Sequence, residues 1–142
     1  MKKTYQKKGS EIERAWHEVD AGSAPLGRMA SGVARLLSGK HKSDYTPHLD
    51  MGDYVVVTNA KEVRVTGGKE KQKKYYKHSG YPGGFKEVAF SKYKSEQPGK
   101  IIELAVSGML PKNKLRKPRL RRLKVFEGGS HPYKLHNGER TA

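Results

Sequence analysis

Apolar residues recur at helical spacing in two parts of this chain. Across residues 26–37 they fall three and four positions apart, as on one face of a helix that Pro25 can open and Gly39 can end. A second helix is predicted between Pro98 and Pro111 on the same grounds. The two apolar faces consist of Leu26, Met29, Ala30, Val33, Leu36 and Leu37, and of Ile101, Ile102, Ala105, Val106, Met109 and Leu110. We expect both faces to pack into the core.

Short β-branched or aromatic runs predict the strands. Residues 16–20 are one candidate, and residues 53–59 are almost continuously apolar, which is typical of a strand buried on both faces of a parallel sheet. Residues 63–66, before a pair of glycines, and residues 123–126 are further candidates. A strand, a helix and a buried strand in this order indicate an α/β fold.

Length and composition bound the organisation of the chain. A chain of 142 residues fits one domain, and we expect a basic extension at 1–14, an α/β domain at 15–126 and an irregular tail at 127–142. The hydrophobic content of 34% lies below the ~45–50% of ordinary globular domains, so a small core with arms that a partner orders is expected. The formal net charge of +16 favours a nucleic acid as that partner.

Several classes of protein are disfavoured by what the chain lacks. The longest aliphatic stretches, 55–57 and 101–106, are too short to span a bilayer, so no membrane partner is predicted. No apolar segment follows the lysine-rich start, so no signal peptide is predicted. The lack of cysteine excludes disulfides, thiol catalysis and cysteine metal sites, and it fits a cytoplasmic protein.

The densest positive charge lies in a basic run at 112–124, which has eight Lys or Arg and no acid. Such a run repels itself, so a polyanion is its natural partner. Pro118 interrupts any helix here, so the run is predicted to be an extended or kinked arm along phosphates. None of its arginines lies on an apolar-periodic face, so all are expected at the surface. The alternative is a solvated basic tail.

A second basic segment, 61–78, alternates lysines with aromatic rings. This composition is typical of proteins that hold RNA phosphates with cations and stack unpaired bases on rings. The alternative for each tyrosine is that it packs on the core with its hydroxyl hydrogen-bonded. The glycines and the proline of residues 80–84 predict a turn directly after this segment.

Catalytic motifs are not indicated. Residues 39–42 suggest a phosphate-binding P-loop, but Ala34 stands where its first glycine should be and His41 follows the lysine in place of Ser or Thr. The six histidines have no close metal-binding spacing, so neither a metal nor another cofactor is predicted. Asp50 and Asp53 are interpreted as caps and turn formers rather than as an acid and a base.

Several short sequence motifs follow one another along the chain, and their combination in this order is highly specific. They are Pro25-Leu-Gly-Arg28, Gly39-Lys-His-Lys42, Gly52-Asp-Tyr-Val-Val-Val57 with Asn59-Ala60, His78-Ser-Gly-Tyr-Pro-Gly-Gly84, Gly108-Met-Leu-Pro-Lys-Asn113, and Arg122-Leu-Lys-Val-Phe126 before His131-Pro132. From about Trp16 to Pro132 the chain thereby resembles the bacterial large-subunit ribosomal proteins of the L13 family. The resemblance implies a three-layer α/β/α fold with a short, mostly parallel central sheet. It also implies a structural role, in which the protein binds 23S-type ribosomal RNA beside neighbouring ribosomal proteins and supports early subunit assembly.

We therefore predict an RNA-binding surface made of cations that neutralise phosphates and rings that stack or touch sugars. Its candidate residues are Arg28, Lys40, His41, Lys42, Lys69, Lys71, Lys73, Lys74, Tyr75, Tyr76, Lys77, His78, Tyr81, Lys112, Lys114, Arg116, Lys117, Arg119, Arg121, Arg122, Lys124 and His131. A DNA-binding nucleoid-type protein is the first alternative, and it would need a helix or ribbon that enters a groove. An RNA-modifying enzyme is the second, and it would need a base-flipping pocket or a cluster of metal ligands and carboxylates. No small-molecule substrate is indicated.

Overall fold

The computed structural model describes residue 5, residues 7–133 and the backbone of Glu139–Arg140. The strands are β1 (Trp16–Asp20), β2 (Tyr54–Thr58), β3 (Lys74–His78), β4 (Phe85–Ala89), β5 (Leu123–Val125) and β6 (Glu139–Arg140). The α-helices are α1 (Leu26–Ser38), α2 (Lys69–Gln72), α3 (Phe90–Glu96), α4 (Pro98–Met109) and α5 (Arg116–Arg121), and 3-10 turns occur at Gly9–Glu11 and Ala60–Glu62. Within the described residues, no helix has the length and apolar content needed to cross a membrane.

A four-stranded sheet forms the centre, in the order β5-β2-β1-β6, and each neighbouring pair is parallel. Trp16 lies opposite Tyr54 at one end of the β1–β2 register, and Asp20 lies opposite Thr58 at the other. The predicted α/β fold with a short parallel sheet is confirmed, as are the strands predicted near 16–20, 53–59 and 123–126. Strand β6 was not predicted.

The core lies between the sheet and helices α1 and α4, whose predicted apolar faces supply most of it. Helix α1 ends where expected, because Gly39 adopts the left-handed conformation (φ 80°) and donates its N–H to the carbonyls of Arg35 and Leu36. Val55 and Val57 of β2 belong to this core, and Val56 between them is also fully buried. Because side chains alternate along a strand, Val56 points to the other face of the sheet.

The aromatic side chains of that other face stack on one another. The rings of Trp16 and Tyr54 are parallel, with centroids 4.4 Å apart, and Tyr133 stacks on Trp16 at 5.0 Å. Phe126 contacts the ring of Tyr133 edge-on at 6.0 Å. The sheet is therefore covered on this face by chain that follows β5, and β2 is buried on both faces as its composition predicted.

The prediction of a strand at 63–66 is wrong. Asn59 adopts a left-handed conformation (φ 55°) and the 3-10 turn Ala60–Glu62 follows it, so the chain leaves the sheet directly after β2. Only one isolated parallel bridge, between Pro25 and Arg64, remains of the expected strand. Val63 is fully buried, because it packs into the core from a loop.

The basic run at 112–124 was predicted to be an extended or kinked arm, but the structure places it in the folded body. It contains helix α5 and then strand β5, which pairs with β2 inside the sheet. Pro118 is the third residue of α5, and a proline in the first helical turn removes no intrahelical hydrogen bond. Proline interrupts a helix when it lies in the interior, and Pro118 lies in the first turn of a helix that is only six residues long.

The end of α4 corrects a second expectation. Met109 was predicted to face the core, but its side chain is 45% exposed, whereas Leu110 is 2% exposed. The helix ends at Met109, and Leu110 has an extended backbone (φ −76°, ψ 146°), so the two apolar residues point in different directions. The apolar face that begins with Ile101 therefore continues into the core at Leu110 and not at Met109.

We expect Met109→Asp to change the free energy of unfolding by less than about 0.5 kcal/mol, because the new charge is hydrated. Leu110→Ala should lower it by roughly 2 kcal/mol or more, because it leaves a cavity in the core. Thermal unfolding of the two neighbouring variants gives the comparison. A large loss of stability in Met109→Asp would mean that this side chain packs against the body in solution.

Candidate nucleic-acid interface

The second basic segment, 61–78, contains helix α2 and strand β3, and β3 forms a hairpin with β4 that sequence reasoning did not predict. Strands β3 and β4 pair antiparallel, with Lys74 opposite Ala89 and His78 opposite Phe85. Every residue of both strands is at least partly exposed. The predicted turn at 80–84 is confirmed, because Gly84 donates its N–H to the Tyr81 carbonyl at 2.9 Å and Gly80 and Gly83 have positive φ.

Tyr75 fixes the hairpin to the body of the protein. Its ring lies 5.2 Å from the ring of Tyr93 in an edge-on contact and 6.5 Å from that of Phe90, which belongs to the core. Burial raises the pKa of the Tyr75 hydroxyl, and the nearby Tyr93 adds to this effect. This ring therefore packs on the core, as in the alternative stated for the tyrosines, but its buried hydroxyl has no hydrogen-bond partner among the described residues.

The opposite face of the hairpin carries rings that are open to solvent. Tyr76 is 63% exposed and Phe85 is 58% exposed, and their rings stack with centroids 5.6 Å apart. His78 is exposed and accepts a hydrogen bond from the Gly80 N–H through Nδ1. Tyr81 is exposed in the turn. Sequence reasoning missed Phe85, although an apolar ring directly after a Gly-Gly pair was the available signal.

The lysines of this segment fall into two groups. Lys69, Lys71 and Lys77 are exposed, whereas Lys73 is half-buried with its ammonium 5.2 Å from the centroid of the Tyr75 ring. Lys74 forms an ion pair with Glu87 across the hairpin. The hairpin and α2 thus present cations beside the exposed rings.

A cleft of about 470 Å³ joins this segment to the start of α1. Arg28, Lys69 and Lys73 lie around it, and Leu26, Ala105 and the exposed Met109 contribute apolar surface. Arg28 also borders a second, more apolar cleft on the other side of α1, together with Arg35 and His41. The structure therefore brings Arg28 close to the lysines of α2, while Lys40 is exposed at the far end of α1.

The basic run around α5 divides into exposed and buried cations. Lys112, Lys114, Lys117 and Arg121 are exposed, and Arg116 and Lys124 are half-buried. Arg116 donates a hydrogen bond to Ser107 Oγ. Arg119 is 1% exposed and Arg122 is 6% exposed, so the expectation that all arginines of the run lie at the surface is wrong. Arginine side chains are usually solvated, but Arg119 and Arg122 are buried because they lie beside an acid of the protein.

Asp50 is that acid. Its Oδ1 and Oδ2 accept two hydrogen bonds from the Arg122 guanidinium, and Arg119 Nε lies 3.7 Å from Oδ1. Arg122 also donates to the carbonyls of Leu37 and Asp53. Burial opposes ionisation of Asp50, but the hydrogen bonds and charge of Arg122 outweigh it and lower the pKa of the carboxyl below its usual range.

A second buried carboxylate, Asp53, holds the segment that follows α1. Lys42 Nζ lies 2.6 Å from Asp53 Oδ1, while His17 Nε2 and His41 Nε2 lie 2.9 and 2.8 Å from Oδ2. Burial opposes ionisation, but hydrogen bonds from His17 and Lys42 outweigh it and hold the pKa of Asp53 well below its usual range. Asp50 and Asp53 are thus ion-pair centres, and their interpretation as caps and turn formers is wrong.

The Asp53 cluster also has the ligand types of a metal site. His17 Nε2, His41 Nε2 and one Asp53 oxygen lie within 4.8 Å of one another. However, Lys42 already compensates the carboxylate, and within the described part of the chain the buried His17 Nδ1 has no hydrogen-bond partner. A metal-ligating histidine normally donates its second N–H to such a partner. The cluster therefore fits an ion-pair network better than a metal centre.

His131, the last candidate, packs on the outer face of the sheet. Its ring lies 5.8 Å from that of Phe126, and its Nε2 is 3.7 Å from Glu18 Oε1. Apart from Arg28 on α1 and Lys40 just beyond it, the structure separates the candidates into three groups. One group lies on the hairpin and α2, one lies around α5, and one is held by acids inside the protein.

Comparison with known proteins identifies the family. A profile of the family described as Ribosomal protein L13 matches residues 14–132. A protein of Legionella pneumophila (strain Corby) is 54% identical over 131 residues, covering 92% of this chain and 91% of the relative. A protein of Natranaerobius thermophilus is 50% identical over 139 residues (98% and 97%), and one of Pseudomonas aeruginosa (strain LESB58) is 53% identical over 131 residues (92% and 92%). All three are named large ribosomal subunit protein uL13. With a match of this extent, the chain belongs to the ribosomal protein L13 family.

Proposed function

We propose that this protein is a structural, non-enzymatic constituent of the large ribosomal subunit. It binds the large-subunit (23S-type) ribosomal RNA beside neighbouring ribosomal proteins and supports early subunit assembly in the cytoplasm. The observation that carries the proposal is the presence of exposed cations on two parts of one packed body. They are Lys69, Lys71 and Lys77 near the hairpin, and Lys112, Lys114, Lys117 and Arg121 around α5.

The physical role is neutralisation with fixed geometry. RNA helices that approach each other repel through their phosphates, and cations held by a folded protein offset that repulsion and release counterions. Helix α5 contacts α1, α4 and β5, so its exposed cations are mounted on the same core as the rest of the protein. The family and the names of the relatives support the assignment to the large subunit.

The engagement of the partly buried Asp50 and the buried Asp53 supports a non-enzymatic role. Asp50 is bound by Arg122, and Asp53 is bound by Lys42 and two histidines, with pKa values lowered in both cases. A general base works best with a pKa near the operating pH, which these two carboxyls do not have. The RNA-modifying alternative therefore gains no support from them.

The DNA-binding alternative gains little support from the helices. Helices α1 and α4 pack on each other and on the sheet, and α5 has six residues, of which Arg119 is buried. A helix that reads a DNA groove must present a full polar face to the bases. The hairpin is the remaining element that could enter a groove, and binding to duplex DNA tests this directly.

We expect binding of the full chain to a large-subunit RNA fragment to weaken steeply with salt. If about eight phosphates are neutralised, the slope of log K against log salt should be about −6 to −7. Titrations at several salt concentrations, with duplex DNA of equal length as the competitor, measure this slope. A slope near zero would contradict the electrostatic account, and equal affinity for the DNA would favour the nucleoid-type alternative.

A variant without the exposed cations of the α5 region provides the control. Replacing Lys112, Lys114, Lys117 and Arg121 by alanine should leave the circular dichroism spectrum unchanged, because all four are exposed. The salt slope should become shallower by up to about 3–4, and incorporation into large-subunit particles in a sucrose gradient should fall with it. Normal incorporation of this variant would show that the run does not bind RNA.

A further inference from the structure

Among the described residues, the exposed ring pair on the hairpin packs against no part of the core. Tyr75 makes the contact with the body, and the alternation of a strand sends Tyr76 to the opposite side. Tyr76 lies diagonal to Phe85 across the strands, and the two rings stack with an angle of 19° between their planes. Phenylalanine is usually buried, so a ring that is more than half exposed beside a second exposed ring indicates a binding surface.

The hairpin holds these rings in place before any partner binds. Ser79 donates its N–H to the Gly84 carbonyl at 3.2 Å, and this bond closes the turn between the strands. Gly84 leaves no room for a side chain, because a Cβ there would lie 2.0 Å from Ser79 Oγ. The turn therefore has a fixed backbone conformation. A ligand that stacks on the rings meets a preorganised surface.

The charges of the hairpin indicate which ligand the rings accept. Lys77 lies directly opposite Lys86 in the antiparallel register, and both are exposed. Like charges directly opposite each other destabilise a strand pair, and a negative ligand would relieve this repulsion. By the same alternation, Lys77 and Lys86 leave the strands on the face opposite to Tyr76 and Phe85, at the same end of the hairpin. A nucleotide chain that passes around this end can stack bases on the rings and bring its phosphates to the lysines.

We propose that Tyr76 and Phe85 form a stacking platform for unpaired bases of RNA, with Lys77 and Lys86 neutralising the phosphates of the same single-stranded segment. This inference rests on the proposed RNA binding and specifies its ligand as a loop, bulge or other unstacked stretch. Tyr75 has no part in stacking, and Phe85 joins the interface. Duplex RNA has its bases stacked inside and cannot use the platform.

The experiment compares two probes with three variants of the full chain. The probes are a 12-nucleotide single-stranded adenine-rich RNA and a blunt RNA duplex with the same number of phosphates. Replacing Tyr76 and Phe85 together by leucine keeps apolar bulk and removes the aromatic faces. Affinity for the single strand should fall by about 5- to 150-fold for each base that loses its ring, with an unchanged salt slope. Affinity for the duplex should stay within about twofold.

The other two variants separate stacking from charge. Phe85→Trp keeps an aromatic face and should retain the affinity, and its new fluorescence should be quenched by the single strand. Replacing Lys77 and Lys86 by alanine should weaken binding and make the salt slope shallower by about 1.4, or 0.7 for each single-strand phosphate. The two pairs of substitutions thus differ in their salt dependence.

Each outcome decides the proposal. If the wild-type protein binds neither probe nor large-subunit RNA, the proposed function fails. If it binds RNA but the double leucine variant binds the single strand as well as wild type does, the function stands and the platform is wrong. A variant that loses duplex and single-strand affinity equally would also overturn the platform. Circular dichroism should show a native spectrum for all three variants, since the four positions are exposed.

Discussion

Replacing Arg122 by alanine should lower the free energy of unfolding by about 3–5 kcal/mol. The guanidinium binds both oxygens of Asp50 and the carbonyls of Leu37 and Asp53, so it joins the end of α1, the start of β2 and the end of α5. Its removal leaves a partly buried carboxylate without its main partner and two carbonyls without a donor. Chemical denaturation followed by circular dichroism measures the loss.

The neighbouring Arg121 is the matched control. It carries the same charge one position earlier but is exposed, so Arg121→Ala should change stability by less than about 0.5 kcal/mol. The double variant with Asp50→Ala should recover part of the loss, because the orphaned carboxylate is then absent. Equal stabilities of the two arginine variants would show that Arg122 is hydrated in solution and that the ion pair does not hold these elements together.

A comparable loss, about 3–5 kcal/mol, is expected for Asp53→Asn. The carboxylate is buried, and it compensates Lys42 while accepting from His17 and His41. An amide removes the charge and cannot accept all of these hydrogen bonds. The exposed Glu103, which pairs with Lys100 on one turn of α4, offers a control, and Glu103→Gln should have little effect.

The lowered pKa values of Asp50 and Asp53 also fix a dependence on pH. A carboxyl whose pKa is lower in the folded state contributes stability that is present above its ordinary pKa of 3.8 and is lost as the pH falls below it. Stability of the wild-type protein should therefore fall steeply between about pH 5 and pH 2. Asp53→Asn should flatten this fall when denaturation is repeated at several pH values, and an unchanged curve would contradict the role of Asp53.

The regular elements could be predicted because their signals are local. The apolar spacing of 26–37 and the proline and glycine at its ends determine α1, and the apolar content of 53–59 determines the buried β2. The hairpin gave no such signal. Both of its strands are largely exposed, so they lack the alternation of apolar and polar residues that identifies a strand with one buried face.

The polar interior could not be predicted, because its partners are distant in the sequence. Asp50 and Arg122 are 72 residues apart, and Asp53 lies 36 residues from His17. Arginine is expected at the surface by default. The residues next to Arg119 and Arg122 in the sequence do not indicate that the two side chains contact an acid in the fold. The fold therefore decides which of the candidate cations face solvent, and their contact with RNA stays a prediction.

The pairing of β5 with β2 determines how this chain can fold. Val55 lies beside Leu123, and Arg122 reaches the carbonyl of Leu37, which is 85 residues earlier. Contacts of such sequence separation form late, because the entropy of closing the intervening loop must be offset first. The hairpin contacts are local and can form within microseconds. During synthesis the sheet therefore lacks its β5 edge, and Asp50 its counter-charge, until residues near 125 have left the ribosome that makes the chain.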